Sequence, residues 1–169
     1  MAITRPLRFD PIDEAARHWE DHGWEAAAPG MALVTSVMRV QQVFLAVTED
    51  VLRPFGLTFA RYEALMLLLF SRSGRLPLGK IGERLQVHAA SVTNAIDRLE
   101  AQELVRRVPN PSDGRGTLAE ITPAGRRLAR KATVALNDAV FADVGIGDHD
   151  LAQATALLRE IRRHAGDFE

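Results

Sequence analysis

Residues 78–122 constrain this chain more than any other stretch. LGKIGERL, residues 78–85, reads as a short helix with Leu78, Ile81 and Leu85 on its inward side. QVHAA is a turn. SVTNAIDRLEAQ, residues 91–102, reads as a second helix whose inward face is Val92, Ile96 and Leu99. VRRVPNPSDGRGTLAEIT, residues 105–122, then sets two β-prone runs around Pro, Asn, Ser, Asp and Gly, the composition of a hairpin with a long solvated tip. Few folds accommodate that order, because a thin apolar stripe on the second helix leaves most of its circumference uncovered.

The uncovered face carries the chemistry. Opposite Val92, Ile96 and Leu99 stand Ala90, Asn94 and Asp97, flanked by Ser91, Thr93 and Arg98. Bulky charged side chains are nearly absent from the first two turns. A helix entering a DNA major groove about 12 Å wide needs short side chains there, with donors and acceptors for base edges. Asn94 can pair with adenine, Ser91 and Thr93 can reach phosphate or base, and Arg98 lies towards the backbone. His88, in the turn before the helix, reads as a phosphate contact. Alone, this pattern is equally that of a polar surface helix. The hairpin shifts the balance, because a hairpin directly after a helix-turn-helix is a wing. Its strands carry Arg106 and Arg107, and its tip presents Arg115 with Asp113 two residues earlier. A guanidinium on a slim tip can enter the narrow minor groove, where negative potential concentrates.

Charge along the chain agrees with this reading. The net charge of the 169 residues is −1. Residues 78–131 nevertheless hold ten Lys and Arg against six acids, whereas residues 1–30 and 132–169 are both acidic. A basic middle suits a centre that faces a polyanion. There is no cysteine, which excludes disulfides, thiol redox sensing and thiolate zinc sites. The N-terminus lacks an apolar signal core, and no run is expected to approach the roughly 20 apolar residues of a membrane span, so a cytoplasmic protein without membrane association is expected.

The flanks read as helices. Residues 11–27 form a first helix that AAPG, 27–30, brings to an end. Residues 31–52 form a long one, with Leu33, Val37, Val40, Phe44, Val47 and Val51 at alternating steps of four and three, the seam of a coiled coil. Met38, Leu45 and Leu52 add a second stripe. RPFGLT is a break with Thr58 as an N-cap before a helix over 59–72, and SRSGRLP is a loop. Thr122 before Pro123 caps a helix running to about Phe141, and Asp148 caps a last helix along Leu151, Leu157, Leu158 and Ile161. The expected divisions are an extension helix (1–30), a dimerisation helix (31–57), a winged helix-turn-helix (58–122) and C-terminal dimerisation helices (123–169). The fold class is all-α with a small β-hairpin wing.

LTFARYEALMLLL, the segment from IGERL through SVTNAIDRLE to the DGR wing, and ITPAG together resemble the MarR family of winged-helix transcriptional regulators. The resemblance spans roughly residues 31–165. It implies a homodimer binding a pseudo-palindromic operator in double-stranded DNA, most often as a repressor released by a small molecule. It further implies that Ser91, Thr93, Asn94, Arg98 and Arg115 face DNA. Gly79 and Gly82 weaken the short helix, which is then expected to be held by packing. ARHWEDHGW in the extension resembles the subgroup that responds to urate and related anions. In that subgroup a Trp and an acid line a pocket, roles that Trp19 and Glu63 match. Ala95 stands where the subgroup has a pocket arginine, and Arg107 matches a second one. Two readings of Trp19 and Trp24 stay open: ligand contacts with Glu63 and Arg107, or a brace holding the extra helix to the dimer core.

Other functions have less to support them. His18 and His22 are spaced to share a helix face, but without a third fixed ligand no metal or other cofactor is expected. The five histidines are scattered and no phosphate loop or nucleophile elbow appears, which argues against an enzyme. A winged helix used only for docking protein would not need Arg98, Arg106, Arg107 and Arg115.

Overall fold

The computed structural model describes residues 7–111 and 116–169. Its contacts divide it into two compact units, one ending at Leu136 and one spanning Asn137–Glu169. The first contains α1 (Pro11–Asp21), α2 (Ala28–Leu52), a 3-10 turn (Arg53–Phe55), α3 (Phe59–Phe70), β1 (Arg75–Pro77), α4 (Leu78–Leu85), α5 (Ala89–Ala101), β2 (Val105–Pro109), β3 (Thr117–Ile121) and α6 (Pro123–Leu136). The second holds a π-helical turn (Asn137–Phe141) and α7 (Asp148–His164).

The core of the first unit lies where α3, α5, α6 and the sheet converge. Leu65, Leu68, Ile81, Ile96, Leu99, Val105 and Leu136 are fully buried there. Each such side chain contributes about 1.5–3 kcal/mol by leaving water. Tyr62 and Thr133 join α3 to α6 through their hydroxyls, 3.0 Å apart. The all-α expectation with a hairpin wing holds, with one addition. RLP, read as loop, is a third strand: β1 pairs antiparallel with β3, Arg75 opposite Glu120, giving the order β1-β3-β2. Three residues with a proline were too short a run to show period-two patterning.

Several boundaries move for local reasons. AAPG opens α2 instead of ending α1, because Pro29 sits in the first turn, where its missing N–H costs nothing. Asp148 is the first residue of α7, and Gly147 precedes it without a side-chain cap. Thr122 does cap α6, its Oγ1 accepting the Gly125 N–H at 3.0 Å. The expected continuous helix to Phe141 changes at Asn137 to π-helical bonding.

The expectation that no run reaches membrane length is also corrected. By length and composition alone, Ala28–Phe55 is long and apolar enough to cross a bilayer. Arg39, Gln41 and Gln42 stand in its middle, where polar groups are costly in hydrocarbon. Its seam is open in the single chain: Leu33, Val37, Val40, Phe44 and Val47 are all exposed, as is Met38. A helix apolar around most of its circumference suits cover by other protein on several sides.

Candidate nucleic-acid interface

α4 and α5 make the helix-turn-helix. α4 ends with Gln86 in the left-handed region at φ 53°, and its backbone N–H returns to Gly82. Gly82 is where the helices crowd: a Cβ there would stand 3.3 Å from both the Val87 carbonyl and a Val92 methyl. The glycine that lowers helix propensity thus permits the close packing that holds α4. His88 is extended and its Nδ1 accepts the Ala90 N–H at 3.2 Å, so this imidazole is the N-cap of α5. The helix accordingly begins at Ala89, two residues before the sequence pattern suggested. With Nδ1 accepting, Nε2 carries the proton and stays available to donate to a phosphate.

The faces of α5 divide as expected. Val92, Ile96 and Leu99 are buried, while Ala90, Ser91, Thr93, Asn94, Asp97 and Arg98 are exposed. Thr93 donates its hydroxyl to the Ala89 carbonyl at 3.0 Å and keeps its acceptor capacity outward. Arg98 has no acidic partner among the described residues. Ser91, Asn94 and Arg98 line an open groove of about 620 Å³ with Thr58, Arg61 and Gln102. Thr58 and Arg61 come from the start of α3, and Gln102 is the C-cap of α5. Thr58 caps α3 and accepts from the Arg61 Nε at 3.1 Å, and Gln102 donates to the Gly56 carbonyl at 3.2 Å. Arg61 and Gln102 went unread as site residues, although Gln102 lies one helical turn beyond Arg98 and offered a signal.

The wing strands hold their arginines in ion pairs. Glu120 on β3 accepts from Arg106 on β2 and from Arg75 on β1, the latter at 2.8 Å. The hydrogen bond from Arg106, aided by Arg75, holds the Glu120 carboxyl below the usual carboxylate range against the opposing effect of burial. Arg106 remains mostly solvent-exposed despite this pair. Arg107 turns back to α5 and pairs with Glu100 and, at 2.6 Å, with Asp97. Asp113 and Arg115 lie outside the described residues.

The four residues read as a ligand set are not one cluster of contacts. Trp19 and Trp24 meet edge to face with ring centroids 5.4 Å apart, and His22 lies against Trp24 at 5.5 Å. Both tryptophans belong to the segment around α1, which packs along α2. Glu63 is half-buried on α3, where burial pushes its carboxyl up. Arg107 is committed to its two acids. His18 and His22 also find protein partners: His22 Nδ1 sits 2.7 Å from the His18 carbonyl, and His18 lies 3.7 Å from Glu14.

Comparison with known proteins fits this geometry. The sequence profile described as "MarR family" matches residues 57–117, from just before α3 to the first residue of β3. Sco5413, a MarR family transcriptional regulator from Streptomyces coelicolor, is 50% identical and superposes with a TM-score of 0.77, over 83% of this chain and 98% of its own. The chain belongs to the MarR family. Its relatives include the uncharacterized HTH-type transcriptional regulator YhbI of Bacillus subtilis, 32% identical over 72% of this chain and 74% of that protein. Sco3205, a MarR family regulator from Streptomyces coelicolor solved in complex with DNA, shares the fold with a TM-score of 0.69 at 23% identity, over 78% of this chain and 85% of its own. MarR-family proteins are transcriptional regulators and not enzymes, so the reading against catalysis stands on the family.

Proposed function

We propose that this MarR-family chain is a homodimeric repressor that binds a pseudo-palindromic operator through α5 and the wing and is released by a small organic effector. The observation that carries the DNA reading is the outer face of α5, where Ser91, Asn94 and Arg98 stand exposed beside one another, with Arg98 without an acidic partner among the described residues. In this reading Asn94 contacts a base edge, Ser91, Thr93 and Arg98 contact base or phosphate, and His88 donates to phosphate from its free nitrogen. Ala90 keeps the approach slim, and Arg106 adds charge from the wing. Asp113 and Arg115 enter on the sequence alone, as the tip that reaches the minor groove.

Dimerisation supplies the second half-site, since one module reads only one. The exposed seam of α2 and the exposed Leu157, Leu158 and Ile161 of α7 are the surfaces we assign to it. A regulator of chromosomal genes works in the cytoplasm. For the extension, the Trp19–Trp24 contact supports the brace over the ligand set, and the effector reading rests on resemblance to the anion-responsive subgroup. The experiment is a gel shift with the intergenic DNA beside the gene. A discrete complex that survives excess random duplex supports the proposal, and titration by random duplex at equal concentration refutes it.

A further inference from the structure

α5 has a charge problem that the wing resolves. Within Ala89–Ala101, Arg98 is the one basic residue and Asp97 and Glu100 are the acids, so the helix that faces DNA is itself net negative. Asp97 is exposed, adjacent to Arg98 and one turn from Asn94. An uncompensated carboxylate there would repel the phosphates that Arg98 attracts. Arg107 reaches both acids from β2. Its backbone N–H donates to Glu100 Oε1 at 2.9 Å, its Nη1 to the other Glu100 oxygen, and its Nη2 to Asp97 Oδ1 at 2.6 Å. Its side chain is only 28% exposed, so the guanidinium is held against α5 and not extended from the sheet.

We propose that Arg107 is a positioning residue for DNA recognition: it pairs with both carboxylates of α5, offsetting one of their two charges, and fastens the first wing strand to that helix. Recognition helix and wing then meet DNA as one piece, and the charge of α5 with its clamp rises from −1 to zero. This departs from the expectation that Arg107 holds an effector, and it rests on the DNA-binding reading above. A planar fork suits the task, because one guanidinium can serve two carboxylates at once while a lysine is a point charge.

The test uses the full chain and fluorescence anisotropy on the intergenic duplex and on random duplex. It compares wild type, Arg107→Gln, and a triple variant that adds Asp97→Asn and Glu100→Gln. Glutamine at 100 keeps an acceptor for the Arg107 backbone N–H. Arg107→Gln is expected to weaken binding about tenfold on both duplexes and to make the dependence of log K on log[salt] shallower, because salt screens the exposed acids. The triple variant is expected to regain most of the lost affinity and at least the original slope, because its three side chains sum to zero charge against −1 in wild type and −2 in Arg107→Gln; an effector contact would give neither the loss nor the regain. A triple variant as weak as Arg107→Gln, or an Arg107→Gln that binds like wild type, overturns the inference. Should Arg107→Gln fail to fold, Arg107→Lys replaces it. It keeps one charge beside the acids and is expected to bind no more than a fewfold weaker than wild type, and a loss of tenfold or more in that variant overturns the inference equally. Absence of any preference for intergenic duplex in wild type would refute the functional reading, while the rescue on random duplex would still be read separately.

Discussion

Gly125 lies directly beneath the carbonyl of Leu104: a Cβ built on it would stand 2.1 Å from that oxygen. The approach joins the start of α6 to the entry of the wing. Thr122 tightens it by donating to the Glu103 carbonyl at 2.8 Å while accepting from Gly125. Because the obstacle is backbone, it cannot swing aside. Gly125→Ala is therefore expected to destabilise the protein by about 2–3 kcal/mol, at the upper end of overpacking costs. Gly79, whose Cβ would meet open space, is the control. Gly79→Ala is expected to be neutral or to stabilise by about 0.5 kcal/mol. Urea denaturation of the two variants checks the contrast.

Glu63 gives a pH signature of the opposite sign to most carboxylates. Burial raises its carboxyl in the folded state. The acid is neutral in both states at low pH, and folding loses stability as pH rises through the folded value. Glu63→Gln should therefore melt at a higher temperature than wild type at pH 7, with the gap closing near pH 4. Thermal melts at the two pH values measure it, and a gap of equal size at both would show that charge is not the cause.

Glu120 runs the other way. Arg106 and Arg75 lower its carboxyl, so its contribution is present above the unfolded value and is lost as pH falls through the folded one. Acidification below about pH 4 should loosen the sheet, seen as faster hydrogen exchange at β3 amides. In Glu120→Gln those amides are expected to exchange faster already at neutral pH, without the acid-dependent step.

The α2 seam predicts assembly. Phe44 and Val40 are exposed in the single chain, so a charge placed there leaves the protomer's core intact. Phe44→Glu is expected to convert a dimer to a folded monomer in sedimentation velocity and to lose high-affinity operator binding with it. A dimer unchanged by this substitution would place the interface elsewhere.

Much of this was legible in the residues, for identifiable reasons. α4, the inward face of α5 and the Thr122 cap follow from periodicity and capping chemistry, both local in sequence. β1 was missed because its pairing with β3 is non-local and only three residues long. The start of α5 was misplaced because histidine is an uncommon N-cap, and its side-chain bond to Ala90 shows only in three dimensions. The role of Arg106 follows from charge, and that of Arg107 from charge and from resemblance to the anion-responsive subgroup. Their partners Glu120, Asp97 and Glu100 are set by strand register and by the return of β2 against α5, which no spacing rule reveals.

The most direct test of the account is a competition titration of wild type, Asn94→Ala and Arg98→Ala, with intergenic and random duplex, across a salt series. Asn94→Ala should lower the preference for intergenic over random DNA by about 1–3 kcal/mol per half-site and leave the salt slope nearly unchanged. Arg98→Ala should weaken both duplexes and flatten the slope by about 2 units, one phosphate per protomer at roughly 0.9 each. If Asn94→Ala keeps full preference and Arg98→Ala keeps the full slope while both variants remain dimeric, α5 does not face DNA and the account is contradicted.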